Sequence, residues 1–151
     1  MKTAIYIGNF SFPLGNAAGK RVYANGKLLS EIGYETTYLG LNDNLRYNTP
    51  ILLTRDVYDG FEFYNLPNPK KIFDRLKFTK IRKEIFFFLD EFRKTKQIDI
   101  LIYYGSPALS IIVNSIIKYC KKNKITVLSD CVDWLSVKTR NPVFDIFKWI
   151  D

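Results

Sequence analysis

The chain contains no histidine. A Ser-His-Asp or Cys-His centre therefore cannot be built from it, and no imidazole is available to ligate a metal. Cysteine is almost as scarce. Cys120 and Cys131 are the two thiols, and their spacing is not that of a metal site. Two isolated thiols fit a reducing compartment better than a disulfide framework. No apolar run reaches the roughly 20 residues that a membrane-spanning helix needs. The first residues lack a basic region followed by a long apolar core, so no signal peptide is expected. No internal repeat and no low-complexity tract is present.

What remains is an apolar, aromatic and basic chain. Its 151 residues suffice for one domain with a real core, and 47% of them are apolar. Phenylalanine and tyrosine together number 22, from 12 Phe and 10 Tyr. The net charge of +8 is unevenly placed. Residues 1–68 balance to zero, 69–97 carry ten basic against four acidic side chains, and 98–151 carry seven against five. The excess over 69–97 predicts a basic surface patch.

Thr3 to Ile32 organises the chain. Thr3-Ala4-Ile5-Tyr6-Ile7 is a short apolar run closed by Gly8, as for a parallel strand covered on both faces. A loop from Asn9 to Gly19 follows, longer than the usual strand-to-helix connection of about 2–6 residues. Val22, Leu28, Leu29 and Ile32 then predict a helix that Gly33 stops. Gly15, Ala17, Ala18 and Gly19 would let a ligand approach the backbone, with Lys20 and Arg21 adding positive charge. They equally suit an ordinary connection with glycines for turn geometry. Gly15-x-x-x-Gly19 is neither G-x-G-x-x-G nor a P-loop.

Further along, Glu35–Leu41 reads as a second strand and Asn42–Pro50 as a loop. Ile51–Thr54 and Phe61–Tyr64 read as extended pieces around the turn Tyr58-Asp59-Gly60. Ile72–Lys96 is helical, with Phe78, Ile81, Ile85, Phe88, Leu89 and Phe92 on one face. Phe86 and Phe87 lie off that stripe. Their exposure would turn a core helix with a solvated face into one suited to an anionic membrane surface. Ile98–Gly105 is the next strand, apolar almost throughout. Ser106 and Pro107 start a helix, with Ala108, Ile111, Ile112, Ser115, Ile116 and Tyr119 as its buried face. Ile125–Asp130 is a further strand, with Asp130-Cys131-Val132-Asp133-Trp134 at its carboxyl end. Asn141-Pro142 begins another helix, and more chain is expected beyond Asp151. The alternation predicts an α/β fold with a Rossmann-like parallel sheet and helices on both faces.

Several stretches together resemble the N-terminal half of a GT-B glycosyltransferase of the retaining group called group 1 or family 4. They are Lys2–Gly8 leading into Pro13–Val22, Leu28–Thr36, Asp59–Pro67, Ile98–Ile102 and Ser129–Trp134. In order and spacing they extend over essentially the whole chain. The resemblance implies an acceptor-side domain, residues 1–151, facing a C-terminal domain that holds a nucleotide-sugar donor. It implies that Gly15, Asn16, Ala17, Ala18 and Gly19, assisted by Arg21, reach toward the donor diphosphate. Asp130 and Asp133 would line the acceptor side, where a carboxylate accepts a sugar hydroxyl's hydrogen bond or proton; alternatively Asp130 caps a turn and Asp133 pairs with a surface base. Trp134 reads as packing rather than a sugar platform. The acceptor would be a cell-surface polysaccharide or a lipid-linked sugar, in the cytoplasm or at the inner face of the membrane.

The departures carry weight. The family's Glu-x7-Glu pair belongs to the C-terminal domain, which this chain lacks, and its cleft histidine is missing. The chain alone is therefore expected not to turn over. A stand-alone nucleotide-binding or regulatory α/β domain is the alternative, opposed by the glycine spacing and by the lack of a clear acidic end to the second strand. The basic segment and a pI near 9.4 raise nucleic acid, but no reading motif is present and no specific nucleic-acid partner is expected.

Overall fold

The computed structural model describes residues 1–46, 49–68, 78–105 and 110–131. Strand β1 spans Lys2–Gly8, helix α1 Ala17–Glu31 and strand β2 Tyr34–Asn42. A 3-10 turn at Ile51–Thr54 precedes β3 (Asp56–Tyr58) and β4 (Phe61–Pro67). Then come α2 (Phe78–Thr95), β5 (Ile100–Tyr104), α3 (Ser110–Lys122) and β6 (Thr126–Asp130). The six strands form one sheet in the order β3-β4-β2-β1-β5-β6. Every pairing is parallel except the β3–β4 hairpin at one edge.

The expected parallel sheet with helices on both faces is therefore present, and alternation along the strands builds it. Ile5, Ile7, Leu39, Tyr64, Leu66, Leu101 and Tyr103 point to one face, where α2 and α3 cover them. Ala4, Tyr6, Tyr38, Phe63, Ile100 and Ile102 point to the other, where Val22 of α1 packs. Each strand is thus apolar almost throughout, as burial on both faces demands. Ile81, Ile85, Phe88, Leu89 and Phe92 of α2 are all buried, so the helical stripe read in the sequence is the core stripe. Removing a side chain such as Leu89 or Phe88 from water is worth about 1.5–3 kcal/mol.

The helix ends follow local chemistry. Gly33, at φ +87°, takes the left-handed position that closes α1, and its N–H donates to the Ser30 carbonyl at 3.0 Å. Asp59 and Gly60, both at positive φ, form the two-residue β3–β4 turn. Two expectations are corrected. Ile51–Thr54 is a 3-10 turn, not a strand, because the Thr54 hydroxyl bonds the Ile51 carbonyl (2.6 Å) and is itself gripped by the Asn65 backbone. The hairpin partner is Asp56–Tyr58 instead. Strand β5 is also shorter than Ile98–Gly105, because the Asp99 carboxylate turns to accept the Thr3 N–H at 2.7 Å. Residues 69–77, Ser106, Pro107, Ala108 and the expected helix from Asn141 lie outside the described residues.

Candidate functional site

The parallel strands run β4-β2-β1-β5-β6, so the order reverses between β1 and β5. Open α/β sheets place ligands at the carboxyl ends of strands beside such a reversal. The loop from Asn9 to Asn16 leaves β1 at this edge. The Asn9 N–H donates to the Tyr104 carbonyl (3.0 Å), and the Phe10 carbonyl accepts from the Leu41 N–H (2.7 Å). Phe10 and Phe12 are buried beneath, edge-on or stacked against Tyr38. The loop is pinned across the ends of three strands, which accounts for its length.

Asn16 caps α1. Its Oδ1 accepts from the Gly19 N–H at 2.7 Å and from the Ser11 N–H at 3.3 Å. The small residues divide into two roles. A Cβ on Gly19 would lie 2.1 Å from the Ser11 carbonyl oxygen, so the close approach that Gly19 permits is made by the loop itself. A Cβ on Gly15 would likewise meet the Ser11 side chain. Gly15, Asn16 and Ala17 nevertheless stand exposed on the rim, with Ala18 half-buried behind them. No acidic side chain occupies the first turn of α1. The positive end of the helix dipole is therefore met at the rim by the neutral Asn16 amide, with the Gly15 N–H taken by the Ser11 carbonyl, and by no carboxylate of the first turn.

Beside the rim lies a network that joins α1 to the far strand. Asp130, the last residue of β6, accepts from Arg21 at 2.8 Å through Oδ1. Its Oδ2 accepts from Asn25 at 3.1 Å and from the Tyr6 hydroxyl. Asn25 also donates to the Tyr6 oxygen at 3.1 Å. Burial, reinforced by the bond to Asp130, pushes the Tyr6 hydroxyl well above the ordinary phenol range. The bond to Asp130 in turn holds the Arg21 proton more firmly. The Asp130 side chain is 10% exposed and that of Arg21 is 49% exposed. Asp130 is thus a carboxylate engaged by three donors. Its work in this state is to aim Arg21 at the edge of the sheet.

Of the residues singled out in the sequence, the fold brings Gly15, Asn16, Ala17, Ala18, Gly19, Arg21 and Asp130 to the same edge. Asp133 and Trp134 lie outside the described residues. Tyr6 and Asn25 were not anticipated. Two signals pointed to them: a buried tyrosine seeks a partner for its hydroxyl, and Arg21 and Asn25 share a helix face at i, i+4. Among the described residues, no group of acidic or thiol side chains is placed to hold a metal ion. No helix among them is long and apolar enough to cross a membrane.

No family model matches the chain, and no curated protein matches it. Among solved structures it is similar to the C-terminal domain of a hydrogenase from Pyrococcus furiosus, with a TM-score of 0.56 at 15% identity. The match covers 86% of this chain and 91% of that one. At this identity the likeness defines the fold: a Rossmann-like α/β domain.

Proposed function

We propose that the chain is the acceptor-side domain of a GT-B glycosyltransferase that moves a sugar from a nucleotide-sugar to a polysaccharide or lipid-linked acceptor. The observation that carries this reading is the exposed rim Gly15-Asn16-Ala17, at the carboxyl edge beside the strand reversal, with Arg21 held next to it. Backbone N–H groups at a helix start and a guanidinium suit a diphosphate. In the paired enzyme the rim meets the donor diphosphate held by a C-terminal domain. Gly19 supports the rim from beneath, and Ala18 keeps the first turn slim. Asp130 lines the acceptor side, where a sugar hydroxyl would compete with Asn25 and Arg21 for its oxygens. In this arrangement turnover needs both domains, since the second one supplies the nucleotide site.

A titration of the chain with UDP-glucose and with NAD, followed by amide chemical shifts, tests the reading. Shifts at Gly15, Asn16, Ala17 and Arg21 with the nucleotide-sugar, larger than those with NAD, support it. Rim shifts that are larger with NAD than with the nucleotide-sugar remove it.

A stand-alone nucleotide-binding domain is favoured by a different observation. Strand β2 runs on to Asn42, which places Asp43 immediately after its end, where the Asn68 amide donates to it at 2.8 Å. An acidic residue at that point suits a ribose hydroxyl. Dominant shifts with NAD that include Asp43 would establish this second reading.

A further inference from the structure

The face of the sheet away from α1 carries a surface that the rim does not use. Helices α2 and α3 lie side by side there: the Phe86 and Tyr119 rings are 5.2 Å apart, and the Tyr119 hydroxyl donates to Asp90 at 2.6 Å. Between them runs an open groove of about 570 Å³, walled by Arg82, Lys83, Phe86, Phe87 and Lys118. The acidic residue in its wall is Asp90, already engaged by Tyr119. Helix α2 carries five basic and three acidic residues, and α3 carries three basic and no acidic ones. Of the three acids on α2, Glu91 is paired with Lys94. One large apolar side chain nonetheless protrudes in this basic wall: Phe87 is 48% exposed.

We propose that the α2–α3 face docks on a bilayer containing anionic phospholipid, with Arg82, Lys83 and Lys118 at the headgroup phosphates and Phe87 inserted at the acyl boundary. Cations around a protruding aromatic ring match the composition of interfacial helices. Each basic residue near an anionic surface contributes about a fivefold gain in partitioning. A solvated helix face explains the cations but gives no reason for Phe87 to stand among them. A nucleic acid would likewise use the cations and give Phe87 no apolar phase to enter. The surface lies across the sheet from the rim and does not rest on the transferase reading, so its failure leaves that reading in place.

Sedimentation of the full chain with phosphatidylcholine vesicles, and with vesicles containing 30% phosphatidylglycerol, tests the proposal. Pelleting is expected with the anionic vesicles only. Phe87→Ser should weaken it about tenfold, and Lys83→Glu with Lys118→Glu by more than tenfold. Both sets of changes fall on exposed side chains, so circular dichroism should show native folding. Glycerol phosphate at millimolar concentration should not compete. Competition would assign the groove to a free phosphate compound and overturn the membrane. Equal pelleting with both vesicles, or pelleting unchanged in Phe87→Ser, overturns it too. Tighter binding to duplex DNA than to the anionic vesicles, insensitive to Phe87→Ser, would assign the surface to nucleic acid.

Discussion

Arg21 and Asp130 are 109 residues apart in the chain, and their side chains meet at 2.8 Å. The contact fastens the second turn of α1 to the end of β6, across the intervening ends of β1 and β5. Its value lies in the carboxylate more than in the exposed guanidinium, because half-exposed ion pairs add little to stability. Asp130→Asn leaves the Tyr6 hydroxyl with a weaker acceptor in a buried setting. We expect it to lower unfolding stability by about 1–3 kcal/mol. Arg21→Ala should leave the denaturant midpoint nearly unchanged while diminishing rim shifts with a nucleotide-sugar. Urea melts of the two variants check this ordering, and a larger loss in Arg21→Ala would contradict it.

Two glycines separate crowding from backbone strain. In Gly19→Ala the new methyl would lie 2.1 Å from the Ser11 carbonyl, a backbone atom fixed by the loop. In Gly33→Ala the methyl meets open space, and only the left-handed φ of +87° is penalised. The second change should cost about 1–2 kcal/mol. The first should cost more and should disturb the amide signals of Ser11 and Asn16. Thermal melts with amide spectra distinguish them.

The two thiols should differ sharply in reactivity. Cys120 is buried between α3 and the sheet, and burial pushes its thiol up to about 11. Cys131 is exposed at the end of β6. A thiol reagent at neutral pH should modify Cys131 in the native state and Cys120 only on unfolding. Mass spectrometry after timed labelling reads the order directly; simultaneous labelling of both would contradict the packing.

The tyrosines set an alkaline limit. Burial raises Tyr103 to about 12. Burial, with the bond to Glu62, raises Tyr64 to about 12 as well. An unfolded phenol ionises near 10. The protonated form is the one the fold favours, so this contribution is fully present below about pH 10 and is lost as pH rises toward 12. Stability should therefore fall over that window. Tyr103→Phe should flatten the decline, as seen in urea midpoints taken between pH 9 and 12.

Much of this was legible in the residues. Strands that are apolar on both sides announced a parallel sheet, and the Ile81-to-Phe92 stripe announced the covering helix. Gly33 marked the end of α1, and Asp59-Gly60 the hairpin. What resisted reading was tertiary. Ile51–Thr54 carries strand-forming residues, yet one hydroxyl exchanged with Asn65, eleven positions on, folds it into a turn. Gly19 looked like an invitation to a ligand, whereas its missing methyl makes room for Ser11. Phe86 and Phe87 are neighbours off the core stripe, yet Phe86 finds Tyr119 and Phe87 finds solvent. Tyr6 counted as one more apolar residue in a strand, because nothing local reveals that its hydroxyl reaches Asp130 two strands away.

The pinning of the loop after β1 has a kinetic consequence. Its carbonyl at Phe10 and its amide at Asn9 are spoken for by neighbouring strands, and Asn16 clasps both Ser11 and Gly19. A molecule arriving at Gly15-Asn16-Ala17 meets a ledge that is already assembled, so capture there demands little ordering of the chain. Its arrival should be limited by encounter rather than by rearrangement, and hydrogen exchange along residues 9–19 should be nearly the same before and after.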